Sequence, residues 1–116
     1  MVSSQVLKRV FNERKRQEEK WGPTSYPFFS VPGTQEINPL NVQLHLGIPS
    51  AQQARDLMEE ALKKGKLSYS HILLEELAEA MEETHDLNKL EEELIQVTAV
   101  LVASIEDLQK KKALLK

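Results

Sequence analysis

The sequence predicts an all-α protein: a four-helix, up-and-down type bundle completed by oligomerisation, with a long Pro/Gly-rich loop after the first helix. Apolar residues recur at helical spacing in four stretches, each preceded by a residue able to cap a helix, and no stretch has the quality of a strand. All five prolines and three of the four glycines fall between Gly22 and Pro49, so the helix breakers are confined to one interval. A chain of 116 residues suits one core, and residues 1–116 are read as a single domain in which 22–49 is the loop.

The first helix is expected from Ser4, a plausible N-cap, to about Lys20, with Val6, Leu7, Val10 and Phe11 on one apolar stripe. Its second half is nearly all charged, and Trp21 is placed to anchor its end. No regular element is expected across residues 22–49. Four of the six aromatics, Trp21, Tyr26, Phe28 and Phe29, lie at the start of this interval, which favours a loop packed on the domain. Such rings can stack on a nucleobase or simply close the end of a core. Ser50 with Gln53 makes a capping box for the next helix, whose stripe is Ala54, Leu57, Met58, Ala61 and Leu62, and Gly65 is its stop. A further helix is expected from Ser68 or Ser70 to about Thr84, with Leu73, Leu77, Ala80, Met81 and Thr84 toward the core. Asp86 is the expected N-cap of the last helix, which runs from about Leu87 into Lys110–Lys112.

Composition excludes several chemistries. There is no cysteine, so disulfides, thiolate zinc sites and cysteine nucleophiles are ruled out. The formal charge of −3 argues against binding a nucleic-acid polymer, while leaving small anionic substrates open. The start of the chain lacks the apolar run of a signal peptide, and the longest apolar run, Leu94 to Ile105, falls well short of the roughly 20 residues a bilayer requires. A cytoplasmic protein with no membrane association is the expectation. Neither a glycine-flanked nucleophile turn nor a phosphate-cradling glycine loop is present.

Oxygen ligands remain, and they are concentrated from His71 to Gln96. Glu76 and Glu79 lie about 60° apart on a helical wheel and one turn apart in height, as do Glu93 and Gln96 on the following helix. Two such pairs on neighbouring antiparallel helices bring side-chain oxygens toward one locus, a recurrent way to build a metal site in a bundle. Glu75 lies toward the other edge of the acidic arc, placed to hold a water or a second shell of contacts. The alternative is a solvated acidic face, with Glu75, Glu79, Glu82 and Glu83 spread over the far side of their helix. The last helix tilts the balance: it is uncharged from Leu94 to Ile105, with Leu90, Leu94, Val97, Leu101 and Ile105 on one stripe and Ile95, Ala99 and Val102 on another side. A helix apolar nearly all round is buried nearly all round, which in so small a chain calls for a second copy. Glu93, at the entrance of that segment, then needs a cation. His71, on the same side of its helix as Glu75 and Glu79, can contact a phosphate, hold Glu75 or form a simple exposed pair.

The pattern EExxE followed by ExxD on the next helix marks the MazG-like, all-α nucleoside triphosphate pyrophosphatases, and the chain offers Glu75-Glu76-Leu77-Ala78-Glu79 and Glu93-Leu94-Ile95-Gln96. Arg16-Gln17-Glu18-Glu19-Lys20-Trp21-Gly22 and His71-Ile72-Leu73-Leu74-Glu75-Glu76 also resemble segments of a small, stand-alone branch of that family. The resemblance covers most of the chain outside the loop. It implies Mg²⁺-dependent hydrolysis of a nucleoside triphosphate to a monophosphate and pyrophosphate, Mn²⁺ being an alternative ion, in a homodimer or homotetramer. It implies Glu76, Glu79 and Glu93 as metal ligands with Gln96 in the place of the family's aspartate, and Glu75 as the acceptor of a proton from the attacking water. Lys20 and Arg16 are implied as phosphate contacts, with Trp21 beside them on the substrate side. Gln96 brings no charge to the metal, so a catalytically weak module that binds nucleotides or a protein partner is the second expectation.

Overall fold

A computed structural model describes residues 4–23 and 25–115. Among these the fold is all-α, with five helices and no strand: α1 (Ser4–Trp21), α2 (Pro39–Leu46), α3 (Ala51–Lys63), α4 (Tyr69–Glu82) and α5 (Leu87–Leu114). None of the helices is long and apolar enough to cross a membrane. The chain divides into two compact units, one formed by residues 1–28 and 101–116, the other by residues 29–100.

Local capping accounts for most helix ends. The Ser50 hydroxyl accepts from the Gln53 backbone N–H at 3.1 Å while the Gln53 side chain accepts from the Ser50 N–H at 2.9 Å, the reciprocal box expected from the sequence. Ser68 caps α4, and Asp86 Oδ1 accepts from the backbone N–H groups of Asn88 and Lys89 at the start of α5. Helix α1 starts at Ser4 itself and ends at Trp21, where Gly22 takes a φ of +72°.

Helix α2 corrects the expectation of no regular element across 22–49. Asn38 accepts from the Asn41 N–H at 2.9 Å, Pro39 occupies the first turn, where it has no hydrogen bond to lose, and Gly47 closes the helix at φ +67° with its N–H bound to the Gln43 carbonyl. A proline read as a breaker is here a helix starter. Val42, 2% exposed, is what the short helix buries.

In the unit of residues 29–100, α4 is covered on two sides. Toward α3 the contact is made by small residues: Ala51, Ala54 and Ala78 are buried together, with Leu74 packed against them. Toward α5, Ala80 is fully buried with Leu90 and Val97, and Phe29, Leu73 and Leu94 pack against this second cluster. The predicted stripe on α3 is therefore realised through its alanines, while Leu57 and Leu62 are at least half exposed. On α5 the expected stripe buries Leu90 and Val97 but leaves Leu101 exposed, and on the other side Val102 is buried while Ile95 is 63% exposed. In the other unit Val6 is the buried residue of α1, and Leu7, Val10 and Phe11 of the predicted stripe are exposed.

Glu82, expected on a solvated face, is instead half-buried and ties three helices together. Its Oε2 accepts from the Ala51 backbone N–H at 2.9 Å and from Gln43 Nε2 at 3.0 Å, so the last residue of α4 caps the first residue of α3 and holds α2. A carboxylate on a helix N-terminus gains from both the orphan N–H and the helix dipole. Replacing Glu82 with Ala should lower unfolding free energy by about 1–3 kcal/mol in urea denaturation, and Glu82→Gln, which retains an acceptor oxygen, should recover part of the loss. A wild-type midpoint for Glu82→Ala would show that the cap contributes nothing.

Candidate metal centre

Positions 75, 76 and 79 share one side of α4 because residues three and four apart in a helix are neighbours. In the structure the ligand atoms of Glu75, Glu76 and Glu79 all lie within 4.8 Å of one another. Helix α5 adds Glu93, whose carboxyl group feels the negative charges of Glu79 and Glu76. The set differs from the one the spacing predicts: Glu75 stands with Glu76 and Glu79, while Gln96 is exposed.

Such a cluster cannot simply ionise. Two unit charges 4.8 Å apart repel by about 3 kcal/mol at an effective dielectric constant near 20, and there are several such pairs. The carboxyl groups respond accordingly. Glu75, only 8% exposed and the buried charged residue of the core, is pushed up to about 7, first by its hydrogen bond with Glu79, then by burial and by the charges of Glu79 and Glu76. Glu79 is held below the usual carboxylate range because it accepts that bond from Glu75 and a second from Arg55. Burial raises Glu76 and Glu93, and neighbouring negative charge raises both further. Glu75 and Glu79 are thus driven in opposite directions.

Part of the charge is balanced by a residue the sequence reading missed. Arg55 on α3 places Nη2 at 3.2 Å from Glu79 Oε1 and Nε at 3.7 Å from Glu75 Oε1. Its neighbour Ala54 packs on Ala78 in the close α3–α4 contact, which is what brings the guanidinium over the cluster. One signal was available: Arg55 follows a core alanine and is the basic residue of the first two turns of α3.

Neither the proton nor Arg55 serves two further atoms. Glu76 Oε2 and Glu93 Oε2 are shut off from solvent and have no hydrogen-bond partner. Buried carboxylate oxygens in that state are destabilising unless a cation meets them. The donor set, hard oxygens only and on two rigid helices, fits Mg²⁺ or Mn²⁺, which keep waters and bind few protein carboxylates.

The remaining predicted site residues fall elsewhere. Gln96 is exposed, and the hydrogen bonds of the described residues do not join it to the glutamates. His71 Nδ1 lies 2.6 Å from Ser68 Oγ, so the ring is engaged at the cap of α4. Arg16, Lys20 and Trp21 belong to the other unit, where their partners are local. Arg16 makes a two-pronged bond to Glu13 at 2.6 and 2.8 Å, and the Lys20 ammonium lies 5.4 Å from the ring of Trp21, which is 59% exposed.

Because Glu75 keeps its proton up to about pH 7, a cation entering the cluster beside it works against that proton by charge, and the competition fades as the pH rises past that value. Mg²⁺ affinity should climb about tenfold per pH unit between pH 5.5 and 7 and then level off, the behaviour of one displaced proton. Calorimetric titrations in buffers of different ionisation enthalpy should count close to one proton released at pH 6 and close to none at pH 8.5. Proton release that is constant across this range would remove Glu75 from the site.

Comparison with known proteins brings no relative to this arrangement: no protein-family model, no curated protein and no solved structure matches the chain.

Proposed function

We propose that the chain is a Mg²⁺-dependent nucleoside triphosphate pyrophosphatase of the MazG-like kind, releasing pyrophosphate and a nucleoside monophosphate. The observation that carries this reading is the pair of buried, unpartnered oxygens, Glu76 Oε2 and Glu93 Oε2, facing a cluster already saturated with negative charge. Glu76, Glu79 and Glu93 would hold the ion. When bound, Mg²⁺ would offset phosphate charge and polarise the phosphorus under attack. Glu75 is suited to take the proton of the attacking water, since a carboxylate titrating near 7 matches a general base to neutral pH. Its hydrogen bond with Glu79 keeps its carboxyl group aimed at the cluster. Lys20, Arg16 and Trp21 are proposed on the substrate side on the strength of the sequence resemblance alone.

The bundle is proposed to be completed by a second copy, as a homodimer or homotetramer. Ile95 on one side of α5 and Leu101 and Leu108 on another are exposed by 63%, 42% and 56%, apolar positions consistent with helix-to-helix association. Sedimentation velocity should give a species of at least two chains at micromolar concentration; a monomer throughout would remove this part of the proposal.

A second reading, a catalytically weak module that binds nucleotides or a protein partner, is favoured by Gln96. This residue is neutral and exposed where the resemblance calls for an aspartate. A pyrophosphate-release screen across nucleoside triphosphates with Mg²⁺ and Mn²⁺ separates the two. Hydrolysis should appear with at least one nucleotide and fall by about 100-fold or more in Glu76→Gln, because even outer-shell partners of a metal are worth 10- to 100-fold. Metal binding without pyrophosphate release, at any nucleotide, would select the binding module. Absence of metal binding would remove both readings.

A further inference from the structure

Arg55 has no role in the function as proposed so far, and its geometry differs from that of the Arg16–Glu13 pair. The Arg16–Glu13 pair is short and two-pronged, at 2.6 and 2.8 Å. Arg55 reaches Glu79 at 3.2 Å, Glu75 only at 3.7 Å and Gln52 Oε1 at 3.5 Å. Hydrogen bonds to Glu79 and Gln52 engage two of its five N–H donors. The guanidinium is therefore near the cluster for its charge rather than locked to it. Exposure grades in the same direction: the side chain of Arg55 is 42% exposed, that of Glu79 26% and that of Glu75 11%, so the arginine lies at the solvent side of the group. Its backbone, by contrast, is held at the most closely packed contact of the unit, next to Ala54 at 1% exposure. A fixed base with a long, loosely held head is suited to change partners.

We propose that Arg55 is a phosphate-binding residue of this site: it neutralises Glu79 and Glu75 while the cluster lacks a metal, and turns to the phosphate chain of the substrate once a divalent cation takes the Glu79 oxygens. This rests on the metal reading given above. The logic is one of charge. A divalent cation at Glu76, Glu79 and Glu93 supplies more positive charge than Arg55 does, and it competes with Arg55 for the same Glu79 oxygens. The displaced guanidinium then stands as an unpaired cation at the rim of a site that receives a polyphosphate. Its planar fork matches phosphate oxygens two at a time, which a lysine ammonium cannot do. The ligand class recognised by Arg55 is accordingly the polyphosphate moiety, independent of the base.

The consequence is a pair of effects with opposite signs. In Arg55→Gln, Mn²⁺ alone should bind about tenfold more tightly than in the wild type, because a like charge beside the ion is gone. The Mn²⁺–tripolyphosphate complex, a probe without sugar or base, should bind about 10- to 100-fold more weakly, the range of a lost charge-assisted hydrogen bond. Mn²⁺ binding is read by electron paramagnetic resonance of the free ion and tripolyphosphate binding by calorimetry at saturating Mn²⁺. Arg55→Lys keeps the charge and loses the fork, so its Mn²⁺ affinity should stay at the wild-type value while tripolyphosphate weakens; this variant decides the matter if Arg55→Gln fails to fold. Wild-type affinities for both probes in Arg55→Gln, or parallel weakening of both in the lysine variant, would overturn the proposal and leave the metal reading standing. Failure of the wild-type protein to bind Mn²⁺ would instead overturn the metal reading, and this proposal with it.

Discussion

The close contact between α3 and α4 is the constraint on which the site depends. It is made by alanines, Ala51 and Ala54 against Ala78, and small side chains let the two helices approach until their flanking charges meet. Arg55 follows Ala54 directly, and Glu75 and Glu79 bracket Ala78, so the same approach that buries methyl groups also sets a guanidinium over two carboxylates. At the other end of the contact, Glu82 accepts from the first N–H of α3. Packing and electrostatics are one arrangement here, since larger residues at 54 or 78 would separate the helices and the charges together.

Helix α4 is the element through which both sides of this unit communicate. Its Ala78 face is covered by α3 and its Ala80 face by α5, and the glutamates occupy the arc between the two. Partly shielded on both sides, they lose water without gaining enough partners. That is why their protonation equilibria spread apart, Glu75 upward and Glu79 downward, instead of remaining those of a solvated face. Titratable groups driven in opposite directions by their surroundings are a mark of sites that handle charge or protons, although ion-pair networks with a purely structural role do the same. Glu76 and Glu93 each keep a buried oxygen with no hydrogen-bond partner.

The sequence by itself determined a good deal. The all-α class, the caps at Ser50, Ser68 and Asp86, and the turn that leads from α4 into α5 all follow from residue chemistry within a few positions, so they are legible locally. The closeness of Glu76 and Glu79 also follows from helical spacing, whereas Gln96, paired with Glu93 by the same spacing, is exposed. Helix α2 was written in the sequence too, as Asn38-Pro39 at one end and Gly47 at the other, but in an interval where proline was taken for a breaker instead of a first-turn residue.

Only the tertiary structure decided the rest. A wheel drawn for α4 alone sets Glu75 at the margin of the acidic arc; with α3 and α5 both in place it is the most buried of the four glutamates. Arg55 and Glu82 each look like one more charge on a solvated helix, and each acquires its part from partners 20 or more positions away in the chain, Arg55 from Glu75 and Glu79, Glu82 from Gln43 and Ala51. The physical reason is the same throughout. Periodicity tells which residues share a face of one helix, whereas burial, and with it the charge state of a carboxylate, is set by how many other helices that face meets.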